Sequence, residues 1–365
     1  MTRNEFIKIS RKYVRGLATG IALTLFFGLV IFWPRLWQLN EAVKPEAPML
    51  LGVPDDFIQR YEAVAAAYPE PFRSVAPGIE QQDNSRKNVR LYEACPSLWP
   101  GPQQTGDCVS MGQSTPIYVR ACVTANISGV PPPQSQVFQP HQYGIARVQI
   151  GNGRPSCRKP GAYPSDAIRG FMQFGYVYYH EAEELGFRYS GKLADQWGCD
   201  GPPRSLINIG KSRSGGDAYP IRSIEEWRDA ICNGYPVTVA IPWREPGPGK
   251  VYKGHDGRSC FAFNTNSNGG HQICSLAYDG SAGKAYWLLF NSHGANWPQG
   301  ASRADGIPPG SVWVDERWAK WIVDNGELWA ISDVPGFEAE ELDLRIFDDL
   351  RISRASTPVP PVIAP

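Results

Sequence analysis

The chain has 365 residues, and its 36 Lys and Arg side chains are balanced by 36 Asp and Glu side chains. This balance excludes the net positive field that would favour nucleic acid as a partner. A hydrophobic content of 42% suits a globular domain, while 37 Gly and 33 Pro residues predict long ordered loops and exclude a simple helical bundle.

An uncharged stretch at residues 16–33 predicts a membrane-spanning helix, because its 18 residues reach the lower bound for a span. Residues 1–15 carry five basic side chains, which predicts a cytoplasmic N-terminus and an exported remainder. Trp33 and Trp37 are typical of interfacial anchors, and the boundary has no small-x-small cleavage site. We therefore predict an uncleaved signal anchor at residues 16–37 in preference to a cleaved signal peptide.

The next segment, residues 38–87, is polar and contains Pro, so we interpret it as a linker or a short pro-segment. Apolar residues in helical spacing predict one helix within it, at residues 55–67. Residues 88–335 form the predicted main domain, which begins with the stretch N-V-R-L-Y-E-A-C.

A helix is predicted from Cys108 to about residue 126, with Pro116 inside it as a kink or a break. Residues 129–165 are rich in Pro, Gly, Gln and Ser, which predicts an extended surface loop. A second helix is predicted to begin at Pro164 or Ser165, with Ser165 as its cap and Gly175 as its stop. Residues 187–220 are predicted to be irregular.

A third helix is predicted after Ser223, because Ser223 and Glu226 form a capping pair. From Pro236 the apolar spacing changes to that of strands. The predicted strands are V-T-V-A-I-P-W, R-S-C-F-A-F, H-Q-I-C-S-L-A-Y, A-Y-W-L-L-F-N, S-V-W-V and E-L-W-A-I-S. Helices followed by an antiparallel sheet indicate an α+β fold with two lobes. Residues 336–365 are acidic and then Pro-rich, which predicts a disordered tail.

Cys108 is the strongest candidate nucleophile. It follows Gly106 and Asp107, a turn residue and an N-capping residue, so its thiol is expected in the first turn of a helix. The helix dipole and the backbone N–H groups there stabilise a thiolate, which predicts an acidic thiol.

A base for this nucleophile is predicted from the hairpin that contains His271 and Asn291. A turn centred on Ser281 would pair residues whose numbers sum to 562, and 271 plus 291 is 562. Directly opposed side chains have Cβ atoms about 4.5–5.5 Å apart. We therefore predict that Asn291 orients the ring of His271 and that the ring faces Cys108. The Cys108 backbone N–H and an upstream Gln amide would complete an oxyanion hole.

Three sequence blocks occur in the order and approximate spacing found in papain-like cysteine peptidases. They are Q-Q-T-G-D-C-V-S, G-G-H-Q-I-C-S-L-A-Y-D and Y-W-L-L-F-N-S-H-G-A-N-W. Over about residues 88–334 the chain resembles a divergent bacterial or phage member of that family. The resemblance implies a papain-like two-lobed fold, with a helical lobe followed by an antiparallel β-barrel-like lobe.

The resemblance also implies that Cys108 is the nucleophile, His271 the base and Asn291 the orienting residue. Gln103 or Gln104 would donate to the oxyanion, and Gln104 is the preferred candidate. His293 stands where the family has the Trp that shields the His–Asn bond, and we interpret it as a surface loop residue in preference to a substitute base or a third catalytic member. The family's long inhibitory prodomain has no counterpart here, which argues against activation by propeptide removal.

The predicted function is therefore a membrane-anchored cysteine peptidase that acts on peptide or protein substrates on the exported side. The alternatives are a catalytically weakened binding or scaffold module, and a cell-wall amidase or acyl transferase. No cofactor is expected, and scattered histidines without a C-x-x-C pair give little support to a metal site. Eight Cys residues suit an oxidising compartment, but their spacing does not fix a disulfide pairing.

Overall fold

The computed structural model describes residues 51–68, 83–153, 155–245 and 247–337. Its α-helices within these ranges are α1 (Phe57–Ala65), α2 (Cys108–Ile127), α3 (Gln139–Gly144), α4 (Pro164–Phe174), α5 (Tyr179–Glu184), α6 (Gly191–Asp200), α7 (Arg204–Lys211), α8 (Ile224–Cys232) and α9 (Glu316–Asn325). A π-helix at Ile145–Ile150 and a 3-10 helix at Leu91–Ala94 complete the helical elements of the described residues.

The strands of the described residues form one mixed sheet. They are β1 (Asn88–Arg90), β2 (Asp217–Pro220), β3 (Val237–Trp243), β4 (Gly249–Lys253), β5 (Ser259–Phe263), β6 (Gly269–Asp279), β7 (Tyr286–Phe290), β8 (Ser311–Asp315) and β9 (Glu327–Asp333). Their order is β2-β9-β3-β6-β7-β8-β5-β4, with β1 added to β6. Every pairing is antiparallel except that of β5 with β8. The structure confirms the predicted α+β class.

Helix α2 lies closely against β6 and brings the start of the helix to the beginning of that strand. A Cβ atom on Gly112 would lie 2.7 Å from Gln272 Cγ and 3.0 Å from the Gln272 carbonyl carbon, so only glycine permits this approach. All residues of α2 from Cys108 to Ala125 are buried, which marks it as a central helix. The helix runs without interruption through Pro116, so the prediction of a break there is wrong. Packing on every side holds the helix despite the backbone donor that Pro lacks.

The largest hydrophobic cluster fills the space between the sheet and helices α2, α8 and α9. Trp287 and Trp313 are 2% and 0% exposed within it, which confirms their prediction as core residues. The six predicted strands are all present, as is the helix that Ser223 caps, where Ser223 Oγ accepts from the Glu226 N–H at 3.1 Å. The predicted helix at residues 55–67 is confirmed as α1.

Two predicted irregular regions are helical. Residues 129–165 contain α3 and the π-helix, and α3 is buried throughout, so the prediction of a surface loop is wrong. Residues 187–220 contain α6, α7 and β2. Ser165 does not cap α4, because Tyr163 holds the N-cap position and Pro164 is the first helical residue.

The described residues belong to one unit, which spans Met49–Pro365. The predicted anchor at residues 16–37 and most of the predicted tail at residues 336–365 lie outside the described residues. Of the helices in the described part of the chain, none combines the length and the apolar character needed to cross a bilayer.

Candidate active site

Cys108 is the first residue of α2, as predicted, and Asp107 is its N-cap. The Asp107 carboxylate does not cap the helix. Instead it accepts from the Tyr189 hydroxyl at 3.1 Å. The Cys108 side chain is 0% exposed, and burial raises the pKa of its thiol to about 12 although backbone N–H groups of Gln272 and Gly52 oppose this change. In this state the thiol is neutral, contrary to the prediction of an acidic thiol.

The thiol is buried because residues 51–53 lie across it. The N–H groups of Gly52 and Val53 donate to the Gly270 carbonyl at 3.2 and 3.1 Å, and the Gly52 carbonyl accepts from the Ala162 N–H at 2.7 Å. A Cβ atom on Gly52 would lie 2.9 Å from Cys108 Sγ. The segment therefore joins β6 on one side to the start of α4 on the other, directly over the sulfur.

His271 and Asn291 meet beside this segment. His271 lies on β6 and Asn291 directly follows β7, and both side chains are buried. His271 Nε2 lies 2.8 Å from Asn291 Oδ1. A carboxamide oxygen can only accept, so Nε2 carries the proton and Nδ1 is the ring nitrogen that can take one from a thiol. The Gln272 N–H, one residue beyond His271, is hydrogen-bonded to the Cys108 sulfur, which brings the Cys108 and His271 parts of the site together.

The predicted register of the hairpin is wrong, although the two side chains meet. Cys274 pairs with Phe290, a sum of 564, and a bulge between Ser275 and Ala277 shifts the remaining pairs. Asn291 thus lies beyond the last paired residue of β7 instead of opposite His271. Its side chain reaches the ring because the chain turns there, and the same Oδ1 accepts from the Ser292 N–H at 2.7 Å.

Two rings pack against the His271 imidazole, and a third packs behind them. The ring centroids of Trp243 and His293 lie 4.6 and 4.5 Å from it, and Trp297 packs 6.3 Å from Trp243. The side chain of His293 is only 7% exposed, so its prediction as a surface residue is wrong. Burial and the neighbouring His271 lower the pKa of His293 to about 2, so it is a neutral shielding ring. The sequence does not predict the contact of Trp243 with His271, because Trp243 lies at the end of a strand with no motif around it.

The two candidate oxyanion donors point in different directions. Gln103 is buried, and its Oε1 accepts from the Ser292 hydroxyl at 2.5 Å, next to Asn291. Gln104 is exposed, and its Oε1 accepts from the Gly191 N–H at 3.0 Å. The structure thus places the side chain of Gln103 beside the His271 and Asn291 pair, and it directs the side chain of Gln104, the candidate preferred from the sequence, away toward Gly191.

Solved structures that resemble this chain are papain-like cysteine proteases, the class that the sequence motifs indicate. Xylellain, a cysteine protease from Xylella fastidiosa, is 16% identical with a TM-score of 0.46, and the match covers 68% of this chain and 86% of xylellain. Procathepsin B S9 from Trypanosoma congolense is 14% identical with a TM-score of 0.47, covering 72% and 81%.

Digestive procathepsin L 3 from the larval midgut of Tenebrio molitor is 14% identical with a TM-score of 0.48, covering 83% of this chain and 88% of its own. No protein-family model and no curated protein matches the chain. At such identities the likeness concerns the fold, so the chemistry of the site rests on its own residues. Among the described residues, no group of His, Cys, Asp or Glu side chains has an arrangement that could hold a metal ion.

Proposed function

We propose that the chain is a cysteine peptidase that hydrolyses peptide bonds through Cys108, His271 and Asn291. The observation that carries this proposal is the buried 2.8 Å contact between His271 Nε2 and Asn291 Oδ1, on the strand whose Gln272 N–H meets the Cys108 sulfur. A thiol at a helix start, a neighbouring imidazole and a group that orients the imidazole are the parts that acyl transfer by cysteine requires.

In the proposed reaction, His271 Nδ1 takes the proton of Cys108 Sγ, and the thiolate attacks the peptide carbonyl carbon. The C–N bond then breaks, and His271 gives its proton to the leaving amine. Water, deprotonated by His271, attacks the thioester and releases the acid and the thiol. The Cys108 N–H and the Gln103 amide are the proposed donors to the oxyanion, and loss of one such donor costs about 10²–10³ in rate.

Residues 51–53 must leave the sulfur before a substrate can reach it. We therefore propose that the segment at residues 38–87 is a pro-segment and not only a linker. Its contacts with Gly270 and Ala162 support this, since they fill the groove between β6 and α4. The anchor at residues 16–37 and an exported catalytic domain complete the proposal, on the sequence grounds of an uncharged stretch preceded by basic residues.

The test uses the full chain in detergent, with and without Gly52→Ala, a change that crowds residues 51–53. Hydrolysis of a fluorogenic peptide library is measured for the parent and for Cys108→Ser, His271→Ala and Asn291→Ala. Cys157→Ser, which removes an exposed thiol, is the matched control. We expect Cys108→Ser and His271→Ala to abolish hydrolysis, Asn291→Ala to reduce it, and Cys157→Ser to leave it unchanged.

A scaffold without activity is the second candidate, favoured by the complete burial of the Cys108 thiol. Iodoacetamide labelling at pH 6 separates the two candidates, because only a thiolate reacts fast at that pH. The peptidase is supported if Cys108 is labelled fast in the Gly52→Ala chain and if adding His271→Ala abolishes this fast labelling. Labelling at the rate of an ordinary thiol, without peptide hydrolysis, would leave the scaffold.

A further inference from the structure

The loop at residues 103–107 carries the proposed oxyanion donors at its two ends. Gln103 is its first residue, and the Cys108 N–H directly follows its last residue. An oxyanion hole acts only when its donors converge on the place where the negative oxygen will form, at about 2.7–3.1 Å from it. The contacts that hold this loop therefore determine how well the donors converge.

The end of β7 holds the start of the loop. The Gln103 N–H donates to the Ser292 carbonyl at 2.9 Å, and the Ser292 hydroxyl donates to Gln103 Oε1 at 2.5 Å. Gln103 Nε2 donates in turn to the Thr105 carbonyl at 2.9 Å. The direction of the Gln103 amide thus depends on the position of Thr105.

Residues 189–195, which include the start of α6, hold the middle of the loop. Thr105 Oγ1 donates to Asp195 Oδ1 at 2.6 Å, and the Gly191 N–H donates to Gln104 Oε1 at 3.0 Å. A Cβ atom on Gly191 would lie 2.7 Å from the Gln104 carbonyl oxygen, so the two segments are in close backbone contact. Side-chain and backbone contacts from this segment thus fix Thr105 and Gln104 together.

Tyr189 connects the middle of the loop to its end through one hydroxyl group. This hydroxyl accepts from the Gln104 N–H at 2.9 Å and donates to Asp107 Oδ2 at 3.1 Å. Asp107 is 0% exposed and directly precedes the candidate nucleophile. A buried polar group that loses its partner is destabilised, so removal of this hydroxyl should displace the loop where it meets Cys108.

We propose that Tyr189 is a positioning residue for the oxyanion hole. It acts through Gln104 and Asp107, and it holds the loop so that the Gln103 amide and the Cys108 N–H face the same point. The inference deepens the proposed peptidase function and rests on it. A residue of this kind stabilises the transition state without contacting the substrate.

The test uses the full chain in detergent, with Gly52→Ala in every sample to displace the segment that covers the sulfur. Tyr189→Phe removes the hydroxyl and keeps the ring. Thr105→Val removes the bond to the exposed Asp195 and is a second, independent way to loosen the loop.

Tyr179→Phe is the matched control for Tyr189→Phe. Both tyrosines are partly buried, and both rings pack edge-on against Trp99, at 6.3 and 5.7 Å. The Tyr179 hydroxyl donates to Gln139 Oε1 and not to the loop. Its removal therefore reports the general effect of losing a hydroxyl in this part of the molecule.

Three measurements separate positioning of the oxyanion hole from general damage to the site. Peptide hydrolysis gives kcat and KM. A peptide aldehyde gives an inhibition constant, because its carbon binds Cys108 Sγ while the thiol proton passes to its oxygen, which then occupies the hole. Iodoacetamide measures the thiol alone, since the sulfur displaces iodide from a saturated carbon and no oxyanion forms.

We expect Tyr189→Phe to lower kcat about tenfold or more, towards the factor of about 10²–10³ known for loss of one donor, with KM within about twofold of the parent value. The aldehyde should bind about tenfold more weakly, and iodoacetamide should modify Cys108 at a rate within about threefold of the parent rate. Thr105→Val should act in the same direction, and Tyr179→Phe should match the parent.

A parent-like kcat in Tyr189→Phe overturns the inference and retains the peptidase. Loss of hydrolysis and of iodoacetamide labelling together also overturns it, because the whole site is then disturbed. Absence of hydrolysis in the parent refutes the peptidase, and the aldehyde then decides the role of Tyr189. Weaker aldehyde binding in Tyr189→Phe with labelling preserved supports that role, whereas equal binding, or no binding to the parent, refutes it.

Discussion

Gly52→Ala is the change that most directly tests how the site is covered. Gly52 lies between Cys108 Sγ and the Gly106 carbonyl, and a Cβ atom on it would be 2.9 Å from the sulfur and only 2.1 Å from the carbonyl oxygen. The oxygen belongs to the backbone at the start of α2 and cannot move aside without disturbing the helix. We therefore expect residues 51–53 to lift from the sulfur.

The size of the effect follows from these contacts. Forcing an extra methyl group into a close-packed site costs about 1–3 kcal/mol. Since 1.4 kcal/mol changes an equilibrium tenfold, the uncovered population should rise about 5- to 150-fold. Three backbone hydrogen bonds hold the segment, two to the Gly270 carbonyl and one from the Ala162 N–H. Each is worth about 0.5–1.5 kcal/mol, so the variant should uncover the site without unfolding the chain.

The assay is the rate at which iodoacetamide modifies Cys108, followed by mass spectrometry of the full chain at pH 7. Cys157 is exposed in the same molecule and serves as an internal reference. We expect the Cys108 rate to rise about 5- to 150-fold, in proportion to the uncovered population, and the Cys157 rate to stay constant. An unchanged Cys108 rate in a folded variant would show that residues 51–53 do not control access to the sulfur.

Three further predictions concern buried titratable groups. Burial raises the pKa of Glu327 from 4.5 to about 8, so this group lowers the free energy of unfolding as pH rises from 4.5 to 8. At 1.36 kcal/mol per pH unit the loss is at most about 5 kcal/mol. Glu327→Gln should therefore reduce the pH dependence of the free energy of unfolding, measured by urea unfolding between pH 5 and 9. Burial is the main reason that the pKa of His293 is lowered from 6.5 to about 2, so protonation of this residue in the unfolded chain destabilises the fold as pH falls below 6.5. His293→Phe should therefore raise the urea midpoint at pH 4 relative to that at pH 7. An equal change at both pH values would contradict this reasoning. The Cys95 and Cys122 side chains are hydrogen-bonded to each other. Oxidised glutathione should therefore convert the two thiols into one disulfide, with transfer of two hydrogens to glutathione, as measured by alkylation and mass spectrometry. Cys232 is buried like Cys122 and should remain a thiol in the same measurement.

Six of the nine strands in the described residues could be predicted from the sequence, because these strands carry their own signals. Val237–Trp243 and Tyr286–Phe290 are apolar runs bounded by turn residues, and both are strands in the structure. Helix α3 could not, because its residues Q-P-H-Q-Y-G have little helix propensity and form a helix only within their buried surroundings. Polar segments are exposed on average, and the polar composition of α3 therefore led to the wrong prediction of a surface loop.

The site was only partly predictable for a similar reason. The motifs identified His271 and Asn291, and the structure brings them together. The strand register predicted for the pair is wrong, because nothing in the sequence marks the bulge between Ser275 and Ala277. Residues 51–53 were missed altogether, since a Leu-Gly-Val stretch has no pattern that distinguishes a cover over a thiol from an ordinary loop.

Glycines occur at each close approach between this cover and the groove. A Cβ atom on Gly161, whose φ is +108°, would lie 2.5 Å from the Gly52 carbonyl oxygen, and one on Gly106 would lie 2.9 Å from the Leu51 carbonyl oxygen. On the opposite side, a Cβ atom on Gly270 would lie 2.7 Å from Val53 Cβ. The groove is therefore shaped to admit an extended backbone at close range.

Backbone recognition of this kind is indifferent to sequence, because every peptide offers the N–H and carbonyl groups that Gly270 and Ala162 bind. A substrate that replaces residues 51–53 can inherit their hydrogen bonds whatever its side chains are. Discrimination between substrates must then come from side-chain contacts beside the groove.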